Sequence, residues 1–453
     1  MKRDKIVYGA LLCGVVLLCN SCMLGRRQIK SPELELPATV VAGATDSLTM
    51  ADMAWWSVYT DSTLTALIER TLERNKDMLA ASARVRRMRA LGRVARADQL
   101  PSVSGQLAAD TEHNDYEGEP ASDDPELGAK VSLAWELDLW GNLRWANRKA
   151  VAEYLATVDA QRALQMTLVA EVATAYYELV ALDQELSIVR RTLQTRKEGV
   201  RQARLRFEGG LTSETALQQA KVELASTATL IPGLESRIAL KEHQIALLAG
   251  AYPTLRIDRQ TMEMHARLPE RLKVGLPSEL LKRRPDLRQS EQTLRAAEAA
   301  MGMASADRFP RITFSLTGGW ENDDLKGLFS SPFSYVKKKA KYKAALAACD
   351  EARLNYEQKV LAAFREVNDA VVTYRNVRTA AALKRDLQQA AQKYVELAQL
   401  QYYNGVINYL DVLDAQRKYF DAQIGLSNAV RDEHLAMVDL YKALGGGWGV
   451  ERQ

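Results

Sequence analysis

The chain has 453 residues, 47% hydrophobic and 26% charged, with 12 prolines and 7% aromatics, a profile of long helices rather than of several compact globular domains. Its formal charge of +4 is spread over interspersed Lys, Arg, Asp and Glu, which supports neither a nucleic-acid-binding surface nor an acidic tail. The four histidines, His113, His243, His265 and His434, lie far apart without ligand spacing, and no phosphate-binding glycine loop or nucleophile motif occurs, so the residues point to neither an enzyme nor a metal site.

Met1-Lys2-Arg3-Asp4-Lys5 is a basic start, Ile6 to Cys19 is an apolar run too short to span a bilayer, and Cys19-Asn20-Ser21-Cys22 resembles a lipobox with Cys19 in place of the usual leucine. The pattern predicts a signal peptide over 1–21 and an acylated Cys22, an ordinary signal peptide being the alternative. That covalent lipid is the only cofactor implied. Cleavage would leave Cys349 as the one further cysteine, so no intrachain disulfide is expected. No later apolar run has membrane-helix length, so any crossing of a membrane must be made by strands. Residues 22–60 read as a tether.

Residues 61–250 form a first structural repeat. A helical stretch from Asp61 to about Asp98 leads into a hairpin over 102–140, whose return strand alternates Val131, Leu133, Trp135, Leu137 and Leu139 with Lys130, Ser132, Ala134, Glu136 and Asp138. About nine residues of such alternation suit a tilted bilayer-crossing strand or a half-buried strand of a soluble protein. A long helical hairpin over 143–250 follows, with an apolar seam at Leu168, Val172, Ala175, Leu179, Leu182, Leu186, Val189 and Leu193, stepping by four and three as in knobs-into-holes packing. It reverses at Gly209-Gly210-Leu211-Thr212-Ser213, and Pro232 is expected to kink the returning arm.

After a linker over 251–275 the pattern recurs over 276–445, with a tail over 446–453. The long hairpins match at a constant offset of 195: Phe207-Glu208-Gly209-Gly210 falls on Tyr402-Tyr403-Asn404-Gly405. The preceding helices match at 209, Ala95 to Pro101 falling on Ala304 to Pro310. Fourteen residues are therefore missing before the second long hairpin, placed at 339–445, which leaves a truncated β-hairpin over 311–336. Pro332-Phe333-Ser334-Tyr335-Val336 is a remnant of a return strand, and Lys337-Lys338-Lys339-Ala340-Lys341 follows at once.

Trp55-Trp56, Asp77, Arg284-Pro285-Asp286-Leu287, Trp135-Glu136-Leu137-Asp138-Leu139-Trp140-Gly141, Phe207 to Ser213 and Leu410-Asp411-Val412-Leu413-Asp414-Ala415 together resemble the TolC/OprM-like outer-membrane channel family, in particular its NodT-type lipoproteins. The resemblance covers nearly the whole mature chain. It implies a mainly α fold with a small β part: a homotrimer in which long helical hairpins build an α-barrel tunnel and β-hairpins, four strands per chain, close a twelve-stranded outer-membrane barrel. It implies a lipid-anchored outer-membrane conduit with a periplasmic tunnel, passing small molecules outward in a tripartite system with a periplasmic adaptor protein and an inner-membrane RND transporter.

By match, the adaptor-docking tip is Gly209, Gly210, Leu211, Thr212 and Ser213 with Asn404, Gly405, Val406, Ile407 and Asn408, and the pore aperture is set by Tyr402, Asp411 and Asp414. The two aspartates also suit a bland role, in the first turn of a helix. A Tyr-to-Asp link known in relatives is not expected at Tyr402, since the partner position is Ala216. The shortened hairpin and lysine run leave two alternatives, a lipid-anchored periplasmic coiled-coil scaffold or adaptor, and a channel made defective by a missing fourth strand.

Overall fold

The computed structural model describes residues 53, 59, 61–114, 122–259, 277–319 and 335–448. The chain divides into two units, Met1–Glu35 and Leu36–Gln453, and all described residues lie in the second. Cys22, the tether apart from Met53 and Tyr59, residues 260–276 and the loop over 320–334 fall outside the described residues.

The predicted helix from Asp61 is two helices, α1 (Ser62–Arg74) and α2 (Lys76–Ala97). Asp61 caps α1, accepting from Thr63 and Leu64 N–H at 2.7 and 3.1 Å. Asn75 caps α2 in the same way, accepting from Asp77 and Met78 N–H. The periodicity alone runs through this break, whereas the family resemblance marks a helix start at Asp77; an asparagine inside a helical pattern carries little weight until its side chain is seen to replace the backbone acceptors.

Strand β1 (Ser102–Asn114) pairs with β2 (Ser122–Leu137), and β2 pairs with β3 (Ile312–Gly319), both antiparallel. Strand β2 ends at Leu137, two residues before the predicted end, where the chain bends into Gly141. Trp135 opposes Phe314, and Leu133 lies between Val103 and Leu316. The sheet therefore has one apolar face and one polar face, the latter carrying the Ser132–Thr317 hydroxyl contact at 3.3 Å. Among the described residues nothing covers the apolar face: Leu107 is 87%, Val103 69%, Leu316 62% and Phe314 53% exposed.

The long helix α3 (Asn142–Glu208) returns as α4 (Glu214–Leu248), and after α5 (Pro277–Arg283) and α6 (Pro285–Ala306) the second long hairpin is α7 (Tyr335–Tyr403) and α8 (Tyr409–Ala443). Helix α7 starts four residues before the predicted 339, so Tyr335 and Val336, read as strand remnant, are helical; 332–334 lie outside the described residues. Helix α4 runs through Pro232 without interruption.

Seven of the eight seam residues of α3 are buried and Leu193 is half-buried. More of α3 is buried than one seam, including Ala173, Tyr176, Tyr177 and Val180, because α1, α4 and α8 all pack around this stretch, while α2 and α6 pack on the earlier part of the helix. The main core joins Leu64 and Ile68 of α1, Leu179 and Leu182 of α3, Ile238 and Ile245 of α4 and Val438 of α8. Tyr176 donates to Asp61 at 2.6 Å, tying the cap of α1 to this core. A second core joins Leu280 to Val367, Val371 and Tyr374 of α7 and Met437 and Leu440 of α8.

The duplication is reproduced in three dimensions. Asn75 Nδ2 donates to the Leu248 carbonyl at 3.0 Å, and Arg284 Nη1 donates to the Ala443 carbonyl at 3.3 Å, matching helix starts holding matching helix ends. Gly210, Gly250, Gly405 and Gly445 all have positive φ, at +72°, +61°, +74° and +84°. Gly210 has open space around it, whereas a Cβ on Gly250 would collide with the Arg74 carbonyl. Gly210→Ala should therefore cost about 1–2 kcal/mol of left-handed backbone strain, and Gly250→Ala clearly more. Thermal unfolding of the two purified variants checks this, and equal losses would contradict the close approach at Gly250.

Candidate functional site at the paired glycine turns

Both long hairpins reverse through the same backbone device. At the end of α3, Leu211 N–H reaches the Arg206 carbonyl at 2.7 Å and Gly210 N–H reaches Phe207 at 2.9 Å. At the end of α7, Val406 N–H reaches Gln401 at 2.9 Å and Gly405 N–H reaches Tyr402 at 3.1 Å. These are two Schellman closures, each needing glycine at the left-handed position. They leave Leu211 and Val406 at the two apices, 71% and 70% exposed. Gly209 and Asn404 end the helices, while Ser213 and Asn408 begin the next ones in extended conformation. Thr212 and Ile407 are half-buried. Tyr403 Oη donates to Gln202 Oε1 at 3.2 Å, so the two predicted tip segments lie side by side at one end of the hairpins.

Tyr402 stands between the repeats. The Arg206 guanidinium lies 4.6 Å from its ring centre, and the Tyr409 ring is 5.4 Å away. A cation from the first repeat therefore packs on the aromatic face of Tyr402 in the second. Tyr409 packs into small apolar clusters of both hairpins, with Val200 and Leu217 on one side and Val412 and Ala415 on the other, and burial pushes its hydroxyl up to about 12.

The two candidate aperture carboxylates are not equivalent. Asp411 is exposed and accepts from the Asn408 N–H at 3.1 Å, which makes it a capping residue of α8 as well. Asp414 is held by Lys418 Nζ at 2.8 Å and by Tyr394 Oη at 3.5 Å. The Lys418 hydrogen bond keeps the Asp414 carboxyl below the usual carboxylate range. Their pairing is therefore complete above the ordinary aspartate pKa and is lost as pH falls through the lowered value. The i,i+4 spacing of Asp414 and Lys418 was readable in the sequence and passed over.

Sequence reasoning also missed a buried charge cluster one helix segment away from the turns. Glu223 of α4 accepts from Arg196 Nη2 of α3 at 3.0 Å and from Arg417 Nε of α8 at 2.9 Å. Arg196 also donates to the Glu223 carbonyl at 2.8 Å and to Thr227, and faces the Phe420 ring. Arg196 is only 8% exposed, and burial lowers its pKa against the opposing charge of Glu223. Glu223 thus bolts the first hairpin to the second. Residues this far apart in sequence carry no local signal of pairing.

Among the described residues no group of acidic, histidine or cysteine side chains is arranged to hold a metal, and no helix is long and apolar enough to cross a membrane. The strands are the membrane-crossing candidates: a sheet bare on its apolar face, joined to helices of about 100 Å. Known proteins match this chain in sequence and fold. The family model described as outer membrane efflux protein matches residues 67–251 and 276–446. The solvent efflux pump outer membrane protein SrpC of Pseudomonas putida is 33% identical over 413 residues, 87% of each chain. The cation efflux system protein CusC of Escherichia coli is 27% identical over 452 residues, covering 96% of this chain and 97% of the relative. The solved outer-membrane channel OprN superposes with a TM-score of 0.82 at 28% identity, covering 92% of this chain and 98% of OprN. A lone periplasmic scaffold is not favoured by any of these, and the chain belongs to the outer membrane efflux protein family, a family of outer-membrane channels.

Proposed function

We propose that three copies of this chain form the outer-membrane conduit of a tripartite efflux system, anchored by a lipid on Cys22. Docking of a periplasmic adaptor at the glycine turns would connect it to an inner-membrane RND transporter. The observation that carries the trimer is an unpartnered apolar stripe on α7. Leu361, Val372 and Leu383 recur every eleven residues and are 66%, 57% and 65% exposed. Eleven residues are three helical turns, so the three residues share one face over about 33 Å. A stripe of that length requires a partner helix, and a second copy of the same chain is the partner that cyclic symmetry provides.

Among the described residues β1 and β3 each pair on one side only, and these edges call for the same solution, since a strand edge in lipid leaves backbone groups without partners. The described residues supply three strands per chain. A three-stranded antiparallel sheet begins and ends on strands of the same direction, so β3 of one copy would meet β1 of the next in parallel. Reconstituted trimers with stable pores in liposomes would establish closure despite the shortened second hairpin. Monomers without conductance would support the defective-channel reading.

The tip is then a threefold ring of paired turns, with the Leu211 and Val406 apices as an apolar docking rim and Asp411 as the least compensated aperture carboxylate. Asp411→Asn should lower cation preference in planar-bilayer recordings more than Asp414→Asn, whose charge Lys418 already offsets; the reverse order would remove Asp411 from the aperture. Glu223→Gln strands Arg196 as a buried unpaired cation, at a cost of about 3–5 kcal/mol. Arg417→Gln should cost much less, because Arg417 is half exposed. Thermal unfolding of both variants decides it, and a mild effect of Glu223→Gln would contradict a bolted tip.

A further inference from the structure

The lysine run at the start of α7 is not used by the conduit. Residues 335–349 hold Lys337, Lys338, Lys339, Lys341 and Lys343 and no acidic residue. Cations at this end of a helix oppose its macrodipole, so helix stability is not what they serve. The first long helix begins in the opposite way, with Asp138 accepting from Leu143 and Arg144 N–H at 3.1 and 2.9 Å. Among the described residues Lys337, Lys341 and Lys343 have no partner.

The position of the run says what could neutralise it. Lys338 Nζ lies 3.5 Å from the Phe309 carbonyl, and the Arg308 guanidinium sits 4.8 Å from the Tyr342 ring. Phe309 in turn stacks on Trp140 at 4.7 Å, and Trp140 donates to the Pro310 carbonyl at 2.7 Å. The first turns of α7 therefore stand beside the points where β2 ends at Leu137 and β3 begins at Ile312. Above this level the sheet shows its bare apolar face. At this level lie an indole, a phenyl ring and a phenol, the side chains that collect where hydrocarbon gives way to headgroups.

We propose that the lysine run with Arg308 is a binding surface for anionic phospholipid headgroups of the leaflet on the helical, periplasmic side of the sheet. The surface continues the lipid-facing sheet. It offers several cations within two helical turns, with no carboxylate in residues 335–349 themselves and Asp307, beside Arg308, already paired with Arg311, and basic clusters at a membrane boundary hold anionic lipids by summed electrostatic attraction that salt weakens.

The inference rests on reading the sheet as lipid-embedded, and the test separates the two claims. The full-length protein is reconstituted in nanodiscs of phosphatidylethanolamine with or without phosphatidylglycerol, extracted, and its retained lipids are counted by native mass spectrometry. Insertion into both kinds of disc tests the sheet; headgroup preference tests the lysines. Wild type should retain phosphatidylglycerol at least about tenfold over its share of the disc at low salt and lose that enrichment at high salt. K337Q/K341Q/K343Q should abolish the enrichment while K337R/K341R/K343R keeps it. Insertion without enrichment in wild type, or enrichment unchanged in the glutamine variant, would overturn the proposal. So would loss of enrichment in the arginine variant, since that would show a need for lysine geometry rather than charge.

Discussion

The packed middle of α3, from Leu168 to Val189, is the surface on which the rest of this protein is assembled. Helices α1, α4 and α8 share a core with it, while α2 and α6 pack on the preceding part of α3, and its residues between those limits include Val172, Ala173, Tyr176 and Leu179, each essentially inaccessible to water. A helix of this length has little intrinsic reason to be stable as a single rod, since most helical stability in proteins comes from tertiary contact. The contacts along α3 supply it. They also orient the first hairpin relative to the second, because α6 and α8 belong to the second repeat and still pack on the long helix of the first.

Around that centre the duplication is strict where backbone geometry is demanding and loose where it is not. Helix ends fall at Glu208 and Tyr403, at Leu248 and Ala443, and at Ala97 and Ala306, each pair at its expected offset. Left-handed glycines and carbonyl-binding caps repeat with them. Side chains diverge: Asn75 has become Arg284, which pairs with Asp286 and Glu366 at 2.7 Å each. The chemistry of the tip diverges most. Its candidate aperture carboxylates, Asp411 and Asp414, come only from the second repeat, and Arg206, opposite Tyr402, only from the first.

What could be read from residue order follows from the range of the interactions. The α3 seam, the glycine turns and the alternation of β2 are local, periodic signals, and all three stand in the structure. The Asn75 break is local but ambiguous. The charge cluster at Glu223 is not local: Arg196, Glu223 and Arg417 meet only because two hairpins lie side by side. The breadth of burial on α3 escaped for the same reason, since its first-repeat sequence does not record that second-repeat helices will cover its other faces. The missing fourteen residues were legible as a count, and the structure adds their local consequence, a lysine-rich helix that begins at Tyr335, level with the base of the sheet.

The described residues form a stave rather than a finished vessel: a sheet with two unpaired edges and a bare apolar face among them, a long helix with an apolar stripe, and paired turns at one end. The account depends on three such staves closing around an axis. Electron cryomicroscopy of the detergent-solubilised full-length protein tests this most directly. It should show three copies with Leu361, Val372 and Leu383 buried between neighbours and all six glycine turns at one end. Particles that are monomeric, or a trimer in which the α7 stripe faces solvent, would contradict it.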